Sequence, residues 1–257
     1  MSKDVMKSIE LRFYGTLNDF LRPGYRQISF LHGYMGSPSV KDIIESVGVP
    51  HVEVSLILAN GNTVPFDFHP ENGDRISCYS RFLSIKIGSI DLLQDIPNDP
   101  RFILDVHLGK LAKYMRIMGF DTLYKTNFTD DEILRVASLE ERIILTRDLG
   151  ILRNGLAKMG YYIRSTAPRM QLIEVMDAYS LRGKSNPFSR CSICNGLVEI
   201  VPKEKVIKEL NANTIKYYED FFRCRSCGQI YWEGSHFKKI EMFIDENLNG
   251  KNSHKEI

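Results

Sequence analysis

No apolar run in this chain approaches the roughly 18 residues that a membrane-spanning helix needs, and Met1-Ser2-Lys3-Asp4 is not followed by the apolar core of a secretory signal. A helical membrane protein is excluded on that ground. The expectation is a protein of the cytoplasm with no membrane partner, in a compartment where thiols stay reduced. Net charge is scarce as well, at +2. It is unevenly spread: residues 1–100 hold 9 Lys and Arg against 12 Asp and Glu, and residues 101–189 hold 14 against 10. The excess is compatible with a polyanionic partner but too small to establish one. No internal repeat or low-complexity tract is evident. What remains is 257 residues of ordinary hydrophobic and charged content, enough for two or three domains with a core.

Cysteine is also sparse, with five in all, but four of them are grouped. Cys191-x-x-Cys194 and Cys224-x-x-Cys227 form two short pairs, the second followed by Gly228. Four thiolates can close a tetrahedral shell around one structural Zn²⁺. Two disulfides or a redox pair are the alternatives. The spacer from 195 to 223 is long for a zinc ribbon and calls for an extended hairpin or an insertion. Aromatics follow the second pair, among them Tyr231, Trp232, His236 and Phe237. Beside Lys and Arg they could stack nucleobases. Packing onto the knuckles is the favoured reading for Trp232. His236 is not needed as a ligand. The fifth cysteine, Cys78, lies in a strand-like run and reads as a small buried hydrophobe.

Residues 9–80 predict a small α+β domain. Strands are expected at Ile9 to Tyr14, Arg26 to Leu31, Val52 to Ala59, Val64 to Phe68 and Arg75 to Tyr79. Ser39 caps a short helix before Val40 to Val47, and Asn60-Gly61 marks a hairpin turn. Residues 83–100, with Pro97 and Pro100, read as a linker. Residues 101–185 alternate strand and helix, which implies a mostly parallel sheet. Strand Phe102-Ile103-Leu104 ends at Asp105. A helix then runs from about His107 to Met118, with Leu108, Leu111, Met115 and Met118 on one face and Lys110, Lys113 and Arg116 on the other.

A second strand, Ile143-Ile144-Leu145, leads to Thr146-Arg147-Asp148. Parallel strands would put Asp105 and Asp148 at the carboxyl rim of the sheet, where open α/β sheets bind ligands. Asp130-Asp131-Glu132 opens a further helix. Clustered carboxylates suit Mg²⁺ or Mn²⁺. Each acid also has a purely structural reading: Thr129-x-x-Glu132 is a capping box, and an Asp after a strand is often a cap.

Two resemblances extend these readings. The run from Val40 to Glu45, with Ile57-Leu58-Ala59-Asn60-Gly61-Asn62 and Asn72-Gly73-Asp74-Arg75-Ile76, resembles the ubiquitin-like, sulfur-carrier class of β-grasp proteins. Such carriers end in an exposed Gly-Gly, whereas this chain continues through Ser80-Arg81-Phe82-Leu83, so an accessory binding role is implied. The run Phe102 to Asp121 and the run Arg142 to Leu152, together with the knuckles and Ile230 to His236, resemble the Mut-seven C-terminal ribonuclease family. The resemblance implies a PIN-like fold with a fused zinc ribbon, and an N-terminal ubiquitin-like domain as is common in bacterial members.

By that resemblance Asp105 and Asp148 are metal-binding catalytic acids, and Asp131 or Asp130 is the third. Lys110, Arg116 and Arg147 are candidate substrate contacts. Val106-His107 departs from the order usual in relatives, so His107 carries no assigned role. The expected architecture is α/β: a β-grasp domain (1–82), a linker (83–100), a PIN-like domain (101–185), a zinc ribbon (186–245) and a polar tail (246–257). The expected function is a metal-dependent ribonuclease with structural Zn²⁺ from Cys191, Cys194, Cys224 and Cys227 and catalytic Mg²⁺ or Mn²⁺. Its partners would be RNA (tRNA, rRNA or another structured RNA) and a protein docking on the β-grasp domain. The alternatives are a non-catalytic RNA- or ribosome-binding protein and a sulfur-carrier-like protein.

Overall fold

The structure, a computed structural model, describes residues 6–81, 97–234, 238, 239 and 242. Most of the expected linker, the polar tail, His236 and Phe237 lie outside the described residues. The N-terminal part is a five-stranded sheet of β1 (Lys7–Tyr14), β2 (Phe30–Tyr34), β3 (Val54–Ala59), β4 (Asn62–Thr63) and β5 (Arg75–Ser80), in the order β2-β1-β5-β3-β4. Only β1 and β5 pair in parallel. Helix α1 (Val40–Ser46) is held by a complete capping box of Ser39 and Asp42. It buries Val40, Ile43 and Ile44 against Ile9, Leu11, Phe13, Ile57 and Ile76 of the sheet. This is a β-grasp domain. Cys78 is fully buried in its core.

Two expected strands come out differently. The partner of β1 begins at Phe30, not Arg26. The residues before it form a 3-10 turn at Pro23–Tyr25 and a left-handed Gln27, whose N–H donates to Asn18 Oδ1 at 2.6 Å. Residues 64–68 form no strand at all. Pro65 removes one ladder donor, and the carbonyls of Phe66 and Phe68 accept from the N–H groups of Lys41 and Val40. Those are orphan donors of the first turn of α1, so this segment serves the helix instead of a neighbouring strand. The Asn60-Gly61 turn is as expected, with both residues at positive φ.

The rest of the chain is α/β. Strands β6 (Phe102–Leu104), β7 (Thr122–Leu123), β8 (Ile143–Thr146) and β9 (Gly160–Tyr162) form a four-stranded sheet in the order β7-β6-β8-β9. The β6/β7 and β8/β9 pairs are parallel. The intervening helices are α2 (Gly109–Ile117), α3 (Asp130–Glu140), α4 (Leu149–Arg153) and α5 (Pro168–Ala178). A three-stranded antiparallel ribbon follows, with β10 (Val198–Val201), β11 (Phe221–Cys224) and β12 (Ile230–Tyr231). The long spacer between the cysteine pairs is an insertion. It carries two 3-10 turns and helix α6 (Ala212–Tyr217), N-capped by Asn211.

The chain divides into two compact units, Met1–Asn98 with Leu134–Tyr162, and Asp99–Ile133 with Ile163–Ile257. Within the first, the β-grasp residues hold the segment around β9. His51 bonds Glu45 through Nδ1 and the Ala157 carbonyl through Nε2 at 2.9 Å. Buried Glu53 accepts the N–H of Tyr162. Within the second, α2 packs on α5, and the two helices bury Leu111, Ala112 and Met115 and Leu172, Val175 and Met176, respectively. Glu174 of α5 accepts the N–H groups of Arg164 and Ser165.

Candidate metal centre and the placement of the acids

The ribbon brings Cys191, Cys194, Cys224 and Cys227 together, with all four sulfurs within 4.8 Å of one another. Cys191 Sγ lies 3.6 Å from Cys227 Sγ, and Cys194 Sγ lies 3.5 Å from Cys224 Sγ. All are free thiols, since a disulfide would need about 2.05 Å. A tetrahedron with Zn–S bonds of about 2.3 Å has edges of about 3.8 Å. The donor set and its spacing therefore fit one Zn²⁺, and among the described residues this is the group brought to metal-ligating distance.

Local sequence explains the two knuckles. Each pair is followed by a residue at positive φ, Asn195 at +67° and Gly228 at +76°. That turn lets the N–H of Asn195 reach the Cys191 carbonyl and the N–H of Gly228 reach the Cys224 carbonyl. Backbone N–H groups aim at the sulfurs, Cys194 N at Cys191 Sγ and Ser226 N at Cys224 Sγ. Gly196 has no room for a side chain: a Cβ there would lie 2.5 Å from Ser226 Oγ and 3.1 Å from Cys224 Sγ.

Electrostatics within the cluster are unequal. Burial alone would raise the Cys191 thiol. Hydrogen bonds from the Tyr231 hydroxyl, 2.9 Å away, and from neighbouring N–H groups bring it down to about 7. Cys194 is pushed up to about 12 by burial and by the sulfurs beside it. Four thiols this close cannot all ionise unless a cation joins them. A bound Zn²⁺ would supply that charge.

Arg116 departs from its expected place. The helical wheel puts it on the solvated face of α2 with Lys110 and Lys113, which are exposed, yet Arg116 is only 4% exposed. Its Nε donates to the Thr122 carbonyl and its Nη1 to the Ile193 carbonyl, both at 2.8 Å. Longer bonds reach the carbonyls of Tyr124 and Ser192. The side chain bends back from α2 to tie β7 to the first knuckle, so its guanidinium faces protein carbonyls and not a phosphate. Burial lowers its pKa, against the pull of Cys191 and Cys194. Asn195 makes a parallel tie, accepting the Thr122 N–H and donating to Asp121, which also pairs with Arg190.

The acids sit where strands and helices meet. Asp105 follows β6, is buried, and caps a 3-10 turn by accepting the His107 N–H at 2.8 Å through Oδ1. Asp148 follows β8, is exposed, and caps α4 by accepting the Gly150 N–H through Oδ1. Asp130 and Asp131 are exposed in the first turn of α3. There Thr129 and Glu132 form the expected capping box. Arg147 is half-buried beside Asp148.

A family model for the Mut7-C RNAse domain matches residues 100–244, and one for the Mut7-C ubiquitin domain matches residues 6–86. The chain belongs to the Mut7-C RNAse-domain family. The Mut7-C RNAse match takes in Asp105, Asp130, Asp131 and Asp148 as well as both knuckles. The PIN-like sheet and the ribbon are thus parts of one family domain, and the β-grasp sheet is its ubiquitin-like companion. No curated protein and no solved structure matches the chain. No helix among the described residues is long and apolar enough to cross a membrane.

Proposed function

We propose that this Mut7-C protein is a metal-dependent ribonuclease that hydrolyses RNA phosphodiester bonds at an acidic PIN-like site. The Mut7-C RNAse match over residues 100–244 carries the reading. Position supports it: Asp105 and Asp148 each follow the carboxyl end of a fully buried strand, the end at which α/β sheets receive ligands. Asp131 or Asp130 is the third acid. Carboxylate oxygens are the donors that Mg²⁺ and Mn²⁺ prefer. A divalent ion held there would lower the pKa of a bound water and offset charge on the phosphodiester.

The chain's own part is positioning. The N–H groups of His107 and Gly150 fix Oδ1 of Asp105 and Asp148, which limits their rotamers. Lys110 and Arg147 are the candidates for phosphate contacts. In this reading RNA is the partner, zinc closes the ribbon, the ubiquitin-like part takes a protein partner, and the site of action is the cytoplasm.

The test is cleavage of a mixed RNA pool by the full chain, with and without Mg²⁺ or Mn²⁺. Asp105→Asn and Asp148→Asn should each lower cleavage by about 100-fold or more, the loss of several kcal/mol of charge stabilisation. Wild-type rates in both variants would overturn the mechanism. RNA held without cleavage under any divalent ion would assign the chain a non-catalytic RNA-binding role.

A further inference from the structure

A cavity of about 750 Å³ opens beside the cysteine cluster, between α2, the first knuckle and the inserted α6. We infer that it is a base-binding subsite for single-stranded RNA, holding one or two unpaired nucleotides. This choice of ligand rests on the RNA reading proposed above. The volume lies in the range of roughly 300–1,000 Å³ typical of small-molecule sites, ample for a nucleobase with its sugar.

The lining carries the argument. Five aromatic residues face it, Tyr217, Tyr218 and Trp232 among them, while its charged residues are Lys113 and Arg190, the second already paired with Asp121. Aromatic faces accept any base by stacking, and cations hold the phosphates between them. Trp232 packs on the small ribbon core of Val206, Phe221 and Ile230 and still lines the cavity. The packing is the role expected of it, and its half-buried ring leaves a face open to the cavity. Tyr217 is 68% exposed at the end of α6, with the Lys216 ammonium 5.2 Å from its ring. An exposed tyrosine beside a cation has no folding task here, and a ligand would cover it. Lys113 is exposed and forms no ion pair among the described residues. Gln229 and Asn213 add polar edges that can bond a base.

Trp232 is the only tryptophan of the sequence, so indole fluorescence reports on this cavity and the ribbon core beside it. The zinc-loaded full chain is titrated with a uridine decamer and, separately, with an RNA duplex, without added Mg²⁺ or Mn²⁺. The decamer should quench the indole at saturation and bind more tightly than the duplex. Tyr217→Ala should weaken decamer binding by about 5- to 150-fold, one lost stack. Lys113→Gln should reduce the slope of log K against log salt by about 0.7, one lost phosphate contact. Unchanged indole emission at saturation, or wild-type binding by Tyr217→Ala, overturns the subsite. Equal quenching by polyglutamate overturns base recognition. Cleavage with no indole response sinks this inference alone, whereas quenching in a chain that cleaves nothing sinks only the ribonuclease reading.

Discussion

Replacing Arg116 by Met isolates the tie between α2 and the first knuckle. Met keeps much of the buried stem, so the change removes the guanidinium with little loss of packing. Two short bonds vanish, to the carbonyls of Thr122 and Ile193. Hydrogen bonds from a charged donor contribute about 1.5–3 kcal/mol each. Part of that sum is returned because a buried cation no longer has to shed its water. The net expected loss is about 2–4 kcal/mol. Ile193 lies inside the first knuckle, so the loss should reach the metal as well as the fold. Two assays read it: the urea midpoint at saturating zinc, and the rate at which a chelating dye strips zinc from the folded chain. Arg116→Met should lower the first and speed the second by tens-fold or more. Arg116→Lys, which keeps the charge but not the fork, should fall between. If Arg116→Met holds its zinc and its midpoint like the wild type, the side chain is not the strut described here.

Cys224→Ser should release the metal and unfold the ribbon, because the ion supplies much of the folding energy of such modules; metal analysis giving one zinc per chain would remove Cys224 from the shell. Glu53→Gln should destabilise the N-terminal unit by about 1–2 kcal/mol, since a neutral acceptor replaces a charged one under the Tyr162 N–H; an unchanged thermal midpoint would show that this contact contributes nothing.

Much of this fold was legible because local chemistry and tertiary demand agree. Ser39, Asn60-Gly61 and Thr129 with Glu132 each carry a cap or turn signal, and Phe102-Ile103-Leu104 a strand signal, that the structure keeps. The departures arise where a distant partner decides. Nothing local to Val64-Pro65-Phe66 says that its neighbours' carbonyls will be used by α1. Arg116 sits on the polar arc of its helix, and only the arrival of Ile193, 77 residues later, makes burial of its charge tolerable. Helix α4 was missed for another reason: at five residues it is too short to show a period. Its one signal is Asp148, for which the sequence offers a cap reading beside that of a metal ligand. The grouping of the four cysteines was legible in the spacing of the two pairs. The inserted α6 was foreshadowed only by the length of the spacer.

Strand β9 ends its sheet, and a sheet edge is a template on which other chains can add. The outward N–H of Tyr162 is not left to water, because buried Glu53 of the β-grasp domain accepts it. His51 grips the neighbouring loop at Ala157. In colloidal terms the ubiquitin-like domain is an edge guard, placing a carboxylate where a foreign strand would dock. A chain cut back to its Mut7-C RNAse domain would display that edge, with the aromatic pair Tyr161 and Tyr162, and self-association through β9 is the fate its geometry invites.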